Sequence, residues 1–453
     1  MRIDGFSRRT VLSSTFGLLA TLPAPPGLAE MGIPQTLVFP VTSAPLDRRT
    51  YRALFLGNGL RVLLASDPGS AKGSASMNVQ VGFTSDPASL PGLAHFCEHM
   101  LFLGTKSFPN EGDFERYVGD FGGSNNAYTA SEDTNYFFDV QGTALPSSLE
   151  RFASFFTEPL FTPSATAREV SAIESEHNKN LQSDFWRYEQ LFKLRADQQH
   201  PYAKFGTGNR KTLHDGDDAT REELLKFHSR YYQADEMSLT IIGPQNLNDL
   251  QALAVKYFSA VPTSDPHLPS ASSAYDTLPL PFNPARRSPF ATLMVPVNDM
   301  RSLKIAWCLP VTDLDNWIRS KPDEIWSLLL RNRYYTLSAT LQPELHVNDI
   351  MSSNLATDSY LLMLCCCCVR SADGGLIPLL KRRGLANAID ASTEEFTRSF
   401  MILSVSIDLT PLGLSKWRAV SALLFAYLRM LVSAGPPSDL IREYETMALT
   451  GFQ

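Results

Sequence analysis

The sequence lacks three features that would each define a class of protein. It has no lysine or arginine cluster, and its net charge is −7 at pH 7, so nucleic acid is not expected as a main partner. It has no apolar run of the roughly 18 residues that a membrane-spanning helix needs; the longest candidate, Tyr360–Val369, is far shorter. The six cysteines are Cys97, Cys308 and the run Cys365–Cys368. This spacing is typical neither of a disulfide framework nor of a zinc site built from pairs of C-x-x-C motifs.

Length and composition indicate an ordinary globular chain. It has 453 residues, of which 44% are apolar and 19% charged, and it is long enough for two domains with a core each. The segment from Pro262 to Pro289 contains seven prolines with serine and alanine between them, which is the composition of a linker. We therefore predict a first domain over residues 36–261, a linker over residues 262–290 and a second domain over residues 291–453.

The first 35 residues have the composition of a leader or of a disordered tail. Arg2, Arg8 and Arg9 precede a mildly apolar stretch, Val11–Leu22, which is followed by small residues and prolines. The stretch Ser7–Leu12 resembles a twin-arginine export signal, and the scarcity of acidic residues also suits an organelle transit peptide. We expect a cleavable leader for an organelle or for export, and the cytosol is the alternative location.

The order of strand and helix patterns favours an α+β fold. Thr162-Pro163 is a start signal for a helix that reaches about residue 182. Because there is no regular βαβ alternation, we predict two related domains, each a mostly antiparallel sheet packed with helices. The predicted strands cover residues 60–66, 77–83, 134–141, 303–309 and 400–409.

The segment His95-Phe96-Cys97-Glu98-His99 contains the residues with the clearest chemistry. On a helix, residues four apart lie on one face, so His95 and His99 can direct imidazole nitrogens at one metal ion. Glu98 lies beside His99 and does not need to bind the ion. Its carboxylate is then free to accept a proton from a metal-bound water. Two histidines do not complete a zinc site, so a third protein ligand must come from another part of the chain.

A second, acidic helix pattern supplies two candidates for the third ligand. Glu169 and Glu176 are seven residues apart, which is two helical turns, and they therefore share a helix face. One of them can bind the metal while the other orients a ligand histidine. Acidic residues on an amphipathic helix are more often a solvated surface, so this interpretation depends on the H-x-x-E-H motif.

The surroundings of the motif resemble a known family. Pro91–Thr105 is similar to the signature of the inverzincin zinc metallopeptidases, specifically of the pitrilysin and insulin-degrading-enzyme branch. Apart from residues 331–373, the resemblance extends from about Leu54 to the C-terminus, and it is strongest between Gly92 and Leu213. Subunits of mitochondrial processing peptidases share H-x-x-E-H and are the rival within the family. The string Glu174–Asn180 favours the insulin-degrading branch.

This resemblance implies a role for each candidate residue. In that branch the third zinc ligand is a glutamate in an E-x-E-H-x-K-N context, which Glu176 matches. The glutamate that orients a ligand histidine falls on Glu169. The resemblance thus implies one zinc ion bound by His95, His99 and Glu176, with Glu98 as the general base.

Two further stretches resemble family motifs. Gly123–Thr129 looks like the family's substrate-binding strand, in which Asn126 and the backbone of Ala127 contact the scissile region of a peptide. From composition alone, Asn125-Asn126 is also typical of a turn. His200–Asn209 is typical of the same branch, and we expect a structural role for it.

Two departures from the family pattern bear on activity. Residues 331–373 interrupt what should be a helix, and we interpret them as an insertion, either a surface loop or translated non-coding sequence such as a retained intron. The last helix pattern, from Ser438, is still running at Gln453. We therefore predict a second domain that is interrupted and truncated. In full-length members a second half closes over the zinc site.

These features predict a zinc-dependent metalloendopeptidase that hydrolyses short unfolded peptides through a zinc-activated water. The alternative is a non-catalytic subunit that retains zinc and binds peptides or forms a heterodimer, as in the processing peptidases. The candidate partners are peptide substrates, a chain that supplies the C-terminal half, and a second copy of this chain.

Overall fold

The computed structural model describes residues 37–39, 41, 43–44, 46–265, 275, 278–282, 291–311, 375–434, 442 and 446. The predicted leader or tail over residues 1–35 and the predicted insertion over residues 331–373 lie outside the described residues. So do most of the predicted linker and most of the last predicted helix. The chain divides into two compact units, Met1–Leu278 and Pro279–Gln453.

The described part of the first unit contains a sheet of seven strands. They are β1 (Leu37–Phe39), β2 (Thr50–Phe55), β3 (Arg61–Ser66), β4 (Lys72–Val79), β5 (Ser124–Thr129), β6 (Thr134–Gln141) and β7 (Met237–Gly243). Their order in the sheet is β1-β2-β3-β7-β4-β6-β5. The pair β3 and β7 is parallel, and the other neighbouring pairs are antiparallel. Strand β5 is thus an edge of the described sheet.

One predicted strand is displaced. The stretch predicted over residues 77–83 is strand β4, which begins at Lys72 and ends at Val79, while Phe83 opens a 3₁₀ turn. The chain leaves the sheet here because Phe83 N–H donates to the Ala130 carbonyl at 3.0 Å. Gly82 permits this approach, since a Cβ at that position would lie 2.2 Å from the same oxygen. By contrast, the predicted strand over residues 134–141 is confirmed as β6.

Seven helices are described in the first unit. They are α1 (Leu93–Met100), α2 (Asp113–Asp120), α3 (Leu145–Thr157), α4 (Pro163–Asn180), α5 (Asp184–Lys193), α6 (Asp218–Tyr231) and α7 (Leu247–Phe258). Helix α4 starts where the sequence predicts: Pro163 takes the first helical position, and the Thr162 hydroxyl accepts from Ala165 N–H at 3.2 Å.

Aromatic packing joins these helices to the sheet. Phe152 of α3 meets Phe138 of β6 edge to face at a ring separation of 5.2 Å, and Phe156 meets Tyr136 at 5.6 Å. Each of these four side chains is at most 2% exposed, and burying such a ring contributes roughly 1.5–3 kcal/mol. Helix α1 belongs to the same core through Phe96, which is fully buried.

Among its described residues, the second unit has a three-stranded antiparallel sheet in the order β8-β10-β9, with β8 at Ser302–Pro310, β9 at Ala386–Phe396 and β10 at Phe400–Leu409. Its described helices are α8 (Leu376–Arg382), α9 (Pro411–Ser415) and α10 (Trp417–Ala434). Sheets packed with helices in both units confirm the predicted α+β class. No helix within the described ranges combines the length and apolar character needed to cross a bilayer.

Candidate active site

Helices α1 and α4 bring three predicted metal ligands together. The helical spacing on α1 places the rings of His95 and His99 with their centroids 4.8 Å apart. Glu176 of α4 extends toward both rings: its Oε2 lies 3.5 Å from His95 Nε2 and 3.6 Å from His99 Nε2. Within the described residues, this trio is the one group of acidic, histidine or cysteine side chains with metal-binding spacing.

These distances fit a tetrahedral ion. With ligand bonds of about 2.0–2.1 Å, neighbouring ligand atoms of a tetrahedral zinc lie about 3.3–3.4 Å apart. The two nitrogen-to-oxygen separations, 3.5 and 3.6 Å, are close to that value. Two imidazoles and one carboxylate also form a donor set used by catalytic zinc, in which the fourth position stays open. The residues of this site therefore fit a zinc ion.

The other ring nitrogens explain why both Nε2 atoms face the metal position. His95 Nδ1 lies 2.8 Å from the Thr207 carbonyl oxygen, and His99 Nδ1 lies 2.8 Å from Glu169 Oε1. A carbonyl oxygen only accepts hydrogen bonds, so Nδ1 of His95 carries the proton, and the lone pair of the neutral ring is on Nε2. In the neutral ring of His99, which is the form that binds a metal, Nδ1–H donates to the Glu169 carboxylate, and the lone pair is again on Nε2. Glu169 thus lies where the predicted orienting glutamate should lie.

Carboxylates dominate the electrostatics around His99. Burial acts to lower the pKa of His99, but the hydrogen bond with Glu169 and the nearby Glu176 carboxylate outweigh it and raise this pKa to about 9. The nearby His99 ring lowers the pKa of Glu176, against the effect of burial. The site therefore concentrates negative charge where a cation would bind.

Glu98 lies beside this trio without joining it. Its side chain turns toward β5, where the Thr129 hydroxyl donates to Glu98 Oε2 at 2.6 Å. Glu98 is only 7% exposed, and its Oε1 has no hydrogen-bond partner among the residues that the structure describes. A shielded carboxylate with one free oxygen next to a metal position suits a general base.

A buried aspartate fixes the start of α1. The Asp86 carboxylate accepts from Gly92 N–H at 2.6 Å and from Ala94 N–H at 2.8 Å, which satisfies two free amides of the helix N-terminus. Burial raises the pKa of Asp86 to about 7, although the amides of Ala94 and Gly92 and the charge of Lys204 act in the opposite direction. Asp86 therefore sets the position from which His95 and Glu98 extend.

The loop after α5 holds the same region from the other side. Lys204 donates to the carbonyl oxygens of Thr84 and Asp86 at 2.5 and 2.6 Å. Gly208 packs against Gly92. A Cβ on Gly92 would lie 2.2 Å from the Gly208 Cα atom, and the φ of Gly92 is +96°. This close contact brings the preceding Thr207 carbonyl to His95.

Cys97 points away from the site. Its thiol is fully buried in the core, where it shares a hydrogen bond with Tyr232. Burial raises the pKa of this thiol to about 12. A neutral thiol in the core is not a candidate metal ligand.

Strand β5 contains Asn126 and Ala127, the predicted substrate-binding residues. Asn125 and Asn126 pair with Phe138 and Phe137 of β6, so the turn alternative for these asparagines is wrong. Asn126 is exposed, and its Oδ1 accepts from the Ala127 N–H at 2.9 Å. Helix α1 contacts β5, so this edge lies alongside the helix that presents the histidines.

Sequence reasoning missed four residues that contact these groups: Thr129, Asp86, Lys204 and Thr207. Thr207 acts through a backbone carbonyl, which no residue-type pattern reveals. Thr129 lies within the predicted substrate strand. The period-2 alternation predicts which face of the strand its side chain occupies, but it does not predict the contact with Glu98. Lys204 and Thr207 lie within the stretch His200–Asn209, for which only a structural role was expected.

A buried H-x-x-E-H helix with a glutamate from a second helix is the arrangement of a metallopeptidase centre. Residues 61–198 match the family described as insulinase (peptidase family M16), and residues 218–447 match the peptidase M16 inactive domain. The chain belongs to peptidase family M16, which confirms the resemblance seen in the sequence. The second match begins upstream of the predicted linker.

The chain is similar to several longer relatives. It is 36% identical to human insulin-degrading enzyme over 420 residues, which cover 91% of this chain and 36% of that enzyme. It is 34% identical to the A-factor-processing enzyme of Saccharomyces cerevisiae over 412 residues, 90% of this chain and 36% of the relative. The crystal structure of pitrilysin aligns with a TM-score of 0.71 at 26% identity, over 90% of this chain and 38% of pitrilysin. The chain thus spans little more than a third of the length of these proteins.

Proposed function

We propose that the chain is a zinc-dependent metalloendopeptidase that hydrolyses short, unfolded peptides. The observation that supports this most directly is that His95, His99 and Glu176 converge next to Glu98. The Glu176 Oε2 atom lies 3.5 and 3.6 Å from the Nε2 atoms of the two histidines. Zinc is the proposed ion because a donor set of two histidines and one glutamate, with an open fourth position, is typical of catalytic zinc.

Each residue then has a chemical role. When bound, zinc supplies a Lewis acid that lowers the pKa of a water to about 7 and polarises a carbonyl. Glu98 accepts a proton from the attacking water as the water oxygen bonds to the peptide carbonyl carbon. As the carbon–nitrogen bond breaks, Glu98 returns that proton to the leaving amine. Glu169 and the Thr207 carbonyl keep both histidines in the tautomer that binds metal.

The edge of the sheet offers a place for the substrate. Strand β5 pairs with β6 on one side only, within the described sheet, so backbone groups along its other side are available to an extended peptide. We propose that a peptide adds to β5 as a further strand, with the Asn126 side chain and the Ala127 backbone next to the bond that is cut. An unfolded peptide adopts this extended conformation without first losing a folded structure, which favours unfolded peptides as substrates.

A Glu98→Gln comparison tests the proposal. The amide keeps the shape of the side chain but cannot take a proton, so kcat on a quenched peptide should fall by about 10²–10⁴-fold. Zinc content and KM should be unchanged, because Glu98 is not a ligand. The matched control is Glu150→Gln, an exposed glutamate on α3. Chelator-sensitive cleavage that survives in Glu98→Gln would refute the assignment of the base.

The alternative function is a zinc-retaining subunit that binds peptides without cutting them. The same geometry supports it, because the trio His95, His99 and Glu176 and the unpaired side of β5 would hold zinc and a peptide whether or not cleavage follows. A wild-type chain that binds zinc and peptide but shows no chelator-sensitive cleavage would favour this alternative.

A further inference from the structure

Thr129 makes a direct contact with the proposed base. It is the last residue of β5, and its hydroxyl donates to Glu98 Oε2 at 2.6 Å. We propose that Thr129 is a positioning residue that holds one oxygen of Glu98 and leaves the other directed at the attacking water. This inference rests on the proposed role of Glu98.

The contact has the properties of a strong, orienting hydrogen bond. An O–H group that donates to a carboxylate typically does so at about 2.5–2.7 Å, and such bonds are roughly twice as strong as neutral ones. A glutamate side chain has three rotatable bonds, so a free Glu98 would sample several rotamers. The bond to Thr129 fixes the plane of the carboxylate. Oε1 remains without a partner among the described residues and is the oxygen that can take the proton.

Thr129 is itself held rigidly. It pairs with Thr134 of β6, and Thr134 is fully buried, with its hydroxyl donating to the Val81 carbonyl at 2.7 Å. The turn between the strands is closed by a hydrogen bond from Ala130 N–H to the Asp133 carbonyl at 2.8 Å. The Thr129 hydroxyl therefore starts from a fixed backbone, which is what a positioning residue requires.

The same strand also carries the proposed substrate edge. Along β5 the side chains alternate, with Ser124, Asn126 and Tyr128 exposed and Asn125, Ala127 and Thr129 partly buried. A peptide paired with the outer edge is thus set in register by the same six-residue strand that orients Glu98. Removing the Thr129 hydroxyl should leave the backbone edge intact, so the effect should fall on kcat and not on KM.

The test compares Thr129→Val with Thr129→Ser in the full chain. Valine has the shape of threonine without the hydroxyl, and loss of a hydrogen bond to a charged group should lower kcat by about 10- to 100-fold. KM and zinc content should stay at wild-type values. Serine restores the donor and should recover kcat to within a few-fold. The control is Thr157→Val, whose hydroxyl donates to the Ala153 carbonyl of its own helix.

A double variant separates this inference from a structural role. If Thr129 acts through Glu98, Thr129→Val should cause no further loss in a Glu98→Gln background. Additive losses, a wild-type kcat for Thr129→Val, equal impairment by valine and serine, or loss of zinc would each overturn the inference. Failure of the proposed function looks different, because the wild-type chain itself would then not cleave, or Glu98→Gln would remain active.

Discussion

The two helices that carry the metal ligands are held in different ways. In α1, six of eight residues are buried, including Phe96 and Cys97. In α4, only four of eighteen residues are buried, and the last of them is Ile173. Accordingly, the Glu176 side chain is 38% exposed, whereas that of His95 is 13% exposed. The histidines are therefore fixed by the hydrophobic core, and the third ligand projects from a largely solvated helix.

This difference predicts that folding and metal binding can be separated. Changes in α1 should destabilise the first unit and weaken metal binding only as a consequence. Changes at the exposed end of α4 should weaken metal binding and leave the metal-free fold intact. Four variants test this contrast, in order of decreasing expected effect.

Phe96→Ala should have the largest effect. The side chain is fully buried in the core of the first unit, and truncating a buried phenylalanine typically costs about 3–5 kcal/mol. Denaturant unfolding of the metal-free chain should show this loss in the free energy of unfolding of the first unit. A loss below about 1 kcal/mol would contradict the view that α1 is held by the core.

Glu176→Gln should remove metal binding without this loss of stability. The amide is a poor ligand, so zinc affinity should fall by more than the roughly 10- to 100-fold typical of changes to the groups around the ligands. The free energy of unfolding without metal should fall far less than in Phe96→Ala, because only the partly exposed His99–Glu176 pair is lost. Competition with a chromophoric chelator measures the affinity, and Glu150→Gln serves as the control. An unchanged affinity would remove Glu176 from the site.

Glu169→Gln should have a smaller effect on the same affinity. In the wild type, His99 Nδ1 lies 2.8 Å from Glu169 Oε1. The amide oxygen of the variant can still accept this hydrogen bond, but the negative charge is lost. We expect zinc affinity to fall by about 10-fold, at the lower end of the range for such partners. The same titration measures it. A loss as large as that of Glu176→Gln would instead indicate that Glu169 binds the metal directly.

Asp86→Asn should change how stability depends on pH. The pKa of Asp86 is raised to about 7 by burial, from an ordinary value of 3.8. Between these pKa values the folded state holds a proton that the unfolded state has released, so the aspartate makes the wild type less stable as pH rises. The free energy of unfolding of the wild type relative to Asp86→Asn should therefore fall by about 1 kcal/mol from about pH 5 to 6.

The wild type and Asp86→Asn should both be measured without metal. Titration of the ligand histidines then contributes equally to both proteins and cancels in the difference. A difference that stays constant across this pH range would show that the amides of Gly92 and Ala94 already keep Asp86 ionised.

The sequence predicts the parts of the site that depend on one helix. His95 and His99 follow from helical spacing, and the start of α4 follows from Thr162-Pro163. The choice of Glu176 as the ligand required the family resemblance, because spacing alone left Glu169 equally eligible. These features depend on local geometry or on a motif.

The parts that could not be predicted depend on tertiary contacts. His95 meets the Thr207 carbonyl across 112 residues, and Glu98 meets Thr129 across 31. Such contacts are set by where loops and strands meet after folding, and residue type does not encode them. The displaced strand β4 has the same origin, since the approach of Gly82 to the Ala130 carbonyl decides where the chain leaves the sheet.

X-ray absorption at the zinc edge, on the chain loaded with one equivalent of zinc, tests the central claim most directly. The spectrum should show two imidazole nitrogens and at least one carboxylate oxygen at about 2.0–2.1 Å, without sulfur. The carboxylate contribution should change in Glu176→Gln. A sulfur ligand at about 2.3 Å, or a spectrum that Glu176→Gln leaves unaltered, would contradict a zinc ion bound by His95, His99 and Glu176.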